Sequence, residues 1–127
     1  MIRYLSVEQV LSLHQGLIGP LSGDAGIREL APLESAVARP SLAFEGEDLY
    51  PTLEAKAAAL LQALVAASPF DAANDATALL AAEVFLLANG RTLQASDRDL
   101  ERMVSLAAAG EGTREPLTIW LRQRMRG

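Results

Sequence analysis

The sequence predicts an all-α protein, a compact bundle of about six helices around a buried central helix. Apolar residues recur at helical spacing from one end of the chain to the other, and runs of alternating polarity that would indicate a sheet do not recur. Half of the 127 residues are hydrophobic, which is enough to bury one substantial core at this chain length. We therefore expect a single domain over residues 1–127.

The first predicted helix begins at Ser6, whose hydroxyl caps the helix while Gln9 reaches back to the cap, as in a capping box. The helix ends near Gly19-Pro20, and a glycine-containing loop from Leu21 to Gly26 follows. His14, the only histidine of the chain, lies on this helix. A lone histidine on an apolar helical face is typical of a hydrogen-bonded packing residue, and we assign it that role.

A short second helix and a long loop come next. The helix covers about Leu30 to Ala38, and Pro40 ends it because proline lacks the amide hydrogen that a helix uses. The residues from about Ser41 to Pro51 show no helical period, which indicates a loop or a short hairpin. Loops of this length often carry function.

The third and fourth predicted helices form a hairpin. Thr52 caps the third helix, which runs to Ala67 and ends at Ser68-Pro69. The fourth covers about Ala72 to Asn89 and is apolar nearly all round, so we predict it to be the buried central element. Alanine-rich faces allow the two axes to approach closely. The unpaired amides at the start of the fourth helix favour an anion, so chemistry should be sought at the turn before it.

Two further helices complete the chain. Gly90 supplies the position that closes the fourth helix. The fifth helix begins at the cap Ser96 and ends near Gly110, and the sixth begins at Thr113 and ends among arginine residues.

Composition excludes several classes of function. Without cysteine there is no disulfide framework or zinc-thiolate site, and with one histidine any metal would need oxygen ligands. The net charge of -5 argues against nonspecific nucleic-acid binding. The first residues do not form a signal peptide, and no apolar run approaches the roughly 20 residues that span a bilayer. We expect a cytoplasmic protein without nucleic-acid or membrane partners.

Several segments resemble the death-on-curing branch of the Fic family, over a range from about residue 2 to the C-terminal helix. They read Gly26-Ile27-Arg28-Glu29-Leu30, Gly46-Glu47-Asp48-Leu49-Tyr50-Pro51-Thr52 and Phe85-Leu86-Leu87-Ala88-Asn89-Gly90. The resemblance implies a small helical bundle with its signature at the turn before the central helix. It also implies transfer of a phosphoryl or nucleotidyl group to a protein hydroxyl, a translation factor as target and control by a small antitoxin.

The signature is degenerate in this chain. The family pattern is histidine, any residue, phenylalanine, any residue, an acid, glycine or alanine, asparagine, lysine or glycine, then arginine. The positions that fit it are Phe70, Ala73 and Asn74, and those that depart from it are Ser68, Ala72, Asp75 and Ala76. The resemblance makes the missing histidine the base, the missing acid the magnesium ligand, and the missing lysine and arginine the phosphate ligands.

Each departure removes a chemical function. Ser68 has no proton affinity near neutral pH and cannot act as the base. Asp71 lies one residue from the acid position, which on a helix is about 100° of rotation, so it would point elsewhere. Asp75 would repel a phosphate. We therefore expect a catalytically inactive or impaired protein that binds no cofactor.

The remaining residues of the turn have structural interpretations. We expect Phe70 to anchor the core, Asp71 to cap the fourth helix, Asn74 to make local hydrogen bonds and Asp75 to act as a first-turn acid. Two further acids, Glu34 and Glu83, are isolated and are interpreted as solvated or paired.

Retained protein binding is the first functional hypothesis. By resemblance, the loop from Ser41 to Leu49 corresponds to the region that positions the target chain. The binding residues that this assigns are Phe44, Glu45, Gly46 and Leu49. The partners would be an antitoxin-like protein and a translation factor.

Two alternatives stay open. One is an active transferase with a rewired site, which uses ATP to phosphorylate or AMPylate a hydroxyl. Asp71 or Asp75 would hold the magnesium, and a different residue would act as the base. The other is a structural or dimerisation module, which a self-complementary apolar patch around Phe44, Leu49 and Tyr50 would favour.

Overall fold

The computed structural model describes residues 1–19 and 26–127, and it confirms the all-α prediction. Of the loop predicted from Leu21 to Gly26, residues 21–25 lie outside the described residues, and Gly26 is described. Within the described ranges the helices are α1 Val7–Ile18, α2 Leu30–Ala38, α3 Leu53–Ala67, α4 Asn74–Ala88, α5 Asp97–Ala108 and α6 Arg114–Arg124. Short 3-10 helices cover Arg39–Ser41 and Glu111–Thr113. The two-residue strands among these described residues are β1 Ala43–Phe44, β2 Glu47–Asp48, β3 Thr92–Leu93 and β4 Met125–Arg126.

The helix starts follow the predicted caps. Ser6 and Gln9 form both hydrogen bonds of a capping box on α1. The Thr52 hydroxyl accepts a hydrogen bond from the amide of Ala55 at the start of α3. Ser96 forms a second capping box on α5, with the Asp99 carboxylate as the returning acceptor. These signals are local in sequence, which is why they predict the boundaries well.

The central helix is α3, and the prediction that the fourth helix would be central was wrong. α3 packs against α2, α4, α5 and α6, whereas α4 packs mainly against α3 and α1. The outer side of α4 keeps Leu87 62% exposed. The apolar composition of α4 on all its sides was therefore misleading, because it is α3 that has neighbouring helices on most sides. The predicted close packing of the alanine-rich faces is present, because α3 and α4 form the most extensive helix pair of the bundle.

The loop between α2 and α3 contains the predicted short hairpin. β1 and β2 pair antiparallel, with Ala43 opposite Asp48 and Phe44 opposite Glu47. Glu45 and Gly46 form the tip, and both have positive φ angles, of 52° and 81°. Glycine adopts this left-handed geometry without a steric penalty, so Gly46 suits the position.

Lys56 ties the hairpin to the core. Its side chain is 1% exposed, and its Nζ lies 3.1 Å from Asp48 Oδ2 and 3.4 Å from the carbonyl oxygen of Pro40. The same Nζ lies 5.4 Å from the centre of the Tyr4 ring. Burial lowers the pKa of Lys56, but its interactions with Tyr4 and Asp48 outweigh burial, and the pKa is raised overall.

A second small sheet joins the end of α6 to the segment after α4, and the sequence patterns did not predict it. β3 and β4 pair antiparallel, with Thr92 opposite Arg126 and Leu93 opposite Met125. Next to this sheet, the Arg124 guanidinium lies 3.5 Å from the centre of the Trp120 ring. Arg124 also places Nη2 3.3 Å from Asp99 Oδ1, which links α6 to the start of α5.

In the part of the chain that the structure describes, no helix is both long enough and apolar enough to cross a lipid bilayer.

Candidate functional site

The signature turn, residues 68–76, connects α3 to α4 through two left-handed residues. Ser68 ends α3 with a φ of 41°, and its hydroxyl donates a hydrogen bond to the carbonyl of Val65 over 3.1 Å. Ala73 precedes α4 with a φ of 61° and a ψ of 32°. Between them Phe70 is 1% exposed and belongs to the core, as predicted.

Asn74 closes the turn with its side chain. Its Oδ1 accepts a hydrogen bond from the amide of Phe70 over 3.0 Å, and its Nδ2 donates to the carbonyl of Phe70 over 2.9 Å. One amide side chain thus satisfies both backbone groups of a buried residue that lies outside any helix. The prediction of a local hydrogen-bonding role is confirmed.

His14 lies directly beneath the turn. The residue is 1% exposed, and its ring stacks on Phe70 with 3.7 Å between the ring centres and 9° between the planes. Its Nε2 lies 3.0 Å from the carbonyl oxygen of Ala72. A carbonyl can only accept, so Nε2 carries a proton and is not free to act as a base. The packing role predicted for His14 is confirmed.

The segment Gly26 to Glu29 runs alongside the turn, a pairing that sequence reasoning missed. The amide of Arg28 donates to the carbonyl of Pro69 over 2.7 Å, and the amide of Asp71 donates to the carbonyl of Gly26 over 3.2 Å. The Arg28 guanidinium also donates to the carbonyl of Ser68. The segment resembles the family in sequence, but nothing local in its sequence indicates which part of the chain it pairs with.

Asp71 does not cap α4, so that prediction was wrong. The capping position is Ala73, and the structure gives it no capping side chain. Asp71 precedes the first residue of α4 by three positions, and its own amide is held by Gly26. Asp75 lies in the first turn of α4, as predicted, and its side chain is exposed.

The four departing positions present little chemistry at the turn. Ser68 supplies a hydroxyl that is already bonded to Val65, Ala72 and Ala76 supply methyl groups, and Asp75 supplies a carboxylate. Among residues 1–19 and 26–127, no three His, Cys, Asp or Glu side chains come together as a metal site would require. Whether the protein binds a cofactor stays a prediction.

The hairpin exposes two of its predicted binding residues strongly. Phe44 is 71% exposed and Leu49 is 53% exposed, and Glu45 and Gly46 form the tip between the strands. Tyr50 is only 7% exposed, so its inclusion in an exposed apolar patch was wrong. In sequence Tyr50 follows Leu49 directly, and the change of direction at the end of the hairpin turns it inward.

The two isolated acids are in different environments. Glu34 is exposed on α2. Glu83 is half-buried on α4, beside Leu80, Val84 and Leu87, and burial raises the pKa of its carboxyl group.

Two comparisons bear on this arrangement. The Fic/DOC family model matches residues 4–86, a range that includes the hairpin, α3, the signature turn and most of α4. A Toxin Doc of Mycolicibacterium smegmatis (strain ATCC 700084 / mc(2)155) is 41% identical over 106 residues, which are 84% of this chain and 78% of the relative.

Proposed function

Because the chain belongs to the Fic/DOC family, we propose that it is a death-on-curing-type toxin-family protein with impaired transferase chemistry. In this proposal the protein keeps a protein-binding role within a toxin–antitoxin pair. The supporting observation is that the signature turn retains its scaffold residues but not its chemical ones.

The residues that fit the family pattern are the ones that hold the turn together. Phe70 fills the core, Ala73 adopts the left-handed geometry before α4, and Asn74 bonds both backbone groups of Phe70. Among the departing positions, Ser68 also supports the turn, through its left-handed backbone and its hydroxyl bond to Val65, whereas Ala72, Asp75 and Ala76 are exposed. Fold and chemistry are therefore separable at this turn, and a sequence can lose one while keeping the other.

The electrostatics of the turn oppose a nucleotide. The start of α4 carries partial positive charge and unpaired amides, which by themselves favour an anion. Asp75 in the first turn already supplies that negative charge. A phosphate would have to approach against the Asp75 carboxylate without the cation that the family pattern has at this position, so transition-state stabilisation is lost.

Protein binding is supported by the exposed hairpin. Phe44 and Leu49 present apolar side chains to solvent, and Lys56 holds the hairpin in place from below through Asp48. A small antitoxin-like protein is the proposed stable partner. A translation factor is the proposed target that the hairpin still engages.

Nucleotide binding tests the chemical part of the proposal. We expect no heat of binding when the native chain is titrated with millimolar ATP and magnesium. The variant Ser68→His/Ala72→Asp/Asp75→Lys/Ala76→Arg should bind ATP and label a protein substrate, because it restores base, metal ligand and phosphate ligands on the same scaffold. A labelled product formed by the native chain would instead establish the rewired transferase.

Affinity capture followed by mass spectrometry tests the binding part. We expect recovery of a small antitoxin-like protein or a translation factor with the native chain, and reduced recovery of the target with Phe44→Ser/Leu49→Ser. Recovery of neither class of protein would contradict the proposed role. Light scattering on the native chain separates this role from a homodimer.

A further inference from the structure

A cluster of charged and polar side chains lies where the end of α2 meets the start of α6. Its members are Arg39, Tyr50, Glu111 and Arg114. No residue of the signature turn takes part in these contacts, so the proposed function does not use the cluster.

One carboxylate joins the two arginines of this cluster. Glu111 Oε1 lies 3.4 Å from Arg39 Nη1, and Glu111 Oε2 lies 3.0 Å from Arg114 Nη1. Both guanidinium groups also donate to the Tyr50 hydroxyl, from Arg39 over 3.5 Å and from Arg114 over 3.3 Å. Two cations and one anion leave an excess of one positive charge here, in a chain whose net charge is -5.

A cavity of about 220 Å³ opens beside the cluster. Arg39, Glu111 and Arg114 lie at its polar side. Its apolar side is formed by small side chains of α3 and α5, which are Ala59, Ala63, Ala66, Ala107 and Ala108. The cavity thus combines two cations with a short apolar surface.

The position of Glu111 shows that the two guanidinium groups are spaced for one carboxylate. The Glu111 side chain is 70% exposed, and an ion pair as exposed as this contributes little to stability, so its displacement costs little. Among the described residues, the hydrogen bonds of both guanidinium groups run through Nη1, so Nε and Nη2 can bind a ligand or water. The Arg114 guanidinium also lies 5.1 Å from the centre of the Tyr50 ring, which fixes its position. A planar guanidinium binds a carboxylate through two such groups at once.

We propose that this cavity is a carboxylate-binding site. The carboxylate of the ligand takes the place of Glu111 between Arg39 and Arg114, and the aliphatic part of the ligand lies on the alanine surface. The source of the carboxylate is either a free short-chain acid or an aspartate or glutamate side chain of a protein segment, since both present the same group.

Nuclear magnetic resonance on the full chain tests the site. Sodium succinate is titrated against sodium chloride at equal ionic strength, because salt alone screens surface charges. We expect saturable shifts of the Gly110 and Gly112 amides and of the Arg39 and Arg114 Nε–H signals. A capped Ala-Glu-Ala peptide is titrated in parallel, and the tighter of the two ligands identifies the source.

Substitutions distinguish specific binding of succinate at this site from nonspecific electrostatic attraction to the protein surface. Arg39→Gln and Arg114→Gln should each weaken succinate binding about tenfold or more, because each removes one side of the paired guanidinium groups. Glu111→Gln should tighten binding severalfold because it removes the competing carboxylate. Arg98→Gln, on the exposed side of α5, is the matched control and should change nothing.

Three results would overturn the proposal: succinate shifts that persist in both arginine variants, weaker binding by Glu111→Gln, or inorganic phosphate binding more tightly than succinate. The dispersion of the amide spectrum shows whether each variant is folded. Should Arg114→Gln not fold, Arg39→Gln and Glu111→Gln still decide the question, because their expected effects have opposite signs.

Discussion

At Ala73 the backbone must adopt a left-handed conformation, and this geometry favours a small side chain. Its φ of 61° places it in the left-handed region, which costs an L-residue roughly 1–2 kcal/mol. The residue is exposed, so nothing in the packing rewards its methyl group. The family pattern accepts glycine or alanine here, and the observed geometry gives the physical reason for that restriction.

We expect Ala73→Gly to stabilise the protein by about 1 kcal/mol, because glycine adopts positive φ without the steric penalty. The matched control is Ala76→Gly, an exposed position inside the first turn of α4, which should destabilise by about 1 kcal/mol. Urea denaturation of the three proteins measures both changes. Equal signs for the two substitutions would contradict the left-handed assignment.

Glu83 should make the stability of the protein depend on pH. Burial raises the pKa of this carboxyl group in the folded state, so the folded protein binds its proton more tightly than the unfolded chain does. The free energy of unfolding therefore falls as pH rises from the unfolded pKa of Glu83 to its folded pKa. Glu83→Gln should be more stable than the native chain at pH 7.

Stability measurements at low pH test whether the ionised Glu83 carboxylate causes this difference. Below about pH 4, where Glu83 is protonated in both states, the advantage of Glu83→Gln should disappear. Thermal unfolding at a series of pH values measures it. Glu34→Gln on α2 is the exposed control. A pH-dependent stability change of the same size in Glu34→Gln would contradict the explanation that burial of Glu83 causes the effect.

Residue roles were predictable where a side chain acts on its immediate neighbours. Asn74 bonds a residue four positions away, and the role of His14 follows from its apolar surroundings on α1. The role of Asp71 was not predictable, because the position at which α4 begins depends on the pairing of the turn with Gly26 to Glu29. That pairing joins segments about forty residues apart, and no local pattern records it.

At the scale of elements, helix caps depend on residues that are close in sequence, whereas strand pairs can depend on residues that are distant in sequence. The caps Ser6, Thr52 and Ser96 were predicted correctly from residues within one turn. The pairing of β3 with β4 was missed, since strands of two residues have no detectable period and their partners lie more than thirty residues apart. The hairpin of β1 and β2 was anticipated because its strands adjoin one tight turn.

The hairpin also depends on a contact outside itself. We expect Asp48→Asn to destabilise the protein by about 1 kcal/mol, because it leaves the buried Lys56 ammonium without its ion-pair partner. Hydrogen exchange of the Leu49 amide, which donates to the carbonyl of Leu42 across the hairpin, should accelerate. Glu47→Gln, on the same strand and exposed, is the matched control.

The double variant Lys56→Met/Asp48→Asn tests whether the unpaired Lys56 charge causes the loss of stability in Asp48→Asn. It removes the buried charge together with its partner, so global stability should recover relative to Asp48→Asn alone. A double variant less stable than the single one would mean that Lys56 supports the core by more than its charge.

On the scale of the whole molecule, α3 organises the bundle because α2, α4, α5 and α6 pack around it. Its buried side chains include Leu60, Leu61 and Leu64. The sequence could predict an all-α bundle with a central helix, but not which helix is central. α3 and α4 are both rich in alanine and leucine, and the choice depends on how the last two helices return over α3.

Leu61→Ala should therefore destabilise the protein by about 2–5 kcal/mol, since the residue is 0% exposed at the centre of the bundle. Leu87→Ala removes the same atoms from the outer side of α4, where the residue is 62% exposed, and should change stability by less than about 0.5 kcal/mol. Denaturant unfolding compares the two. Similar losses for both would contradict the central position of α3.

The contact between Trp120 and Arg124 gives this molecule a built-in spectroscopic probe. Trp120 is the single tryptophan of the chain, and the guanidinium over its ring holds the indole at the junction of α6 with α5. Its emission should shift when the C-terminal helix detaches. Substitutions at the signature turn leave this fluorophore untouched, so native and restored sequences can be compared by one optical signal without adding a label.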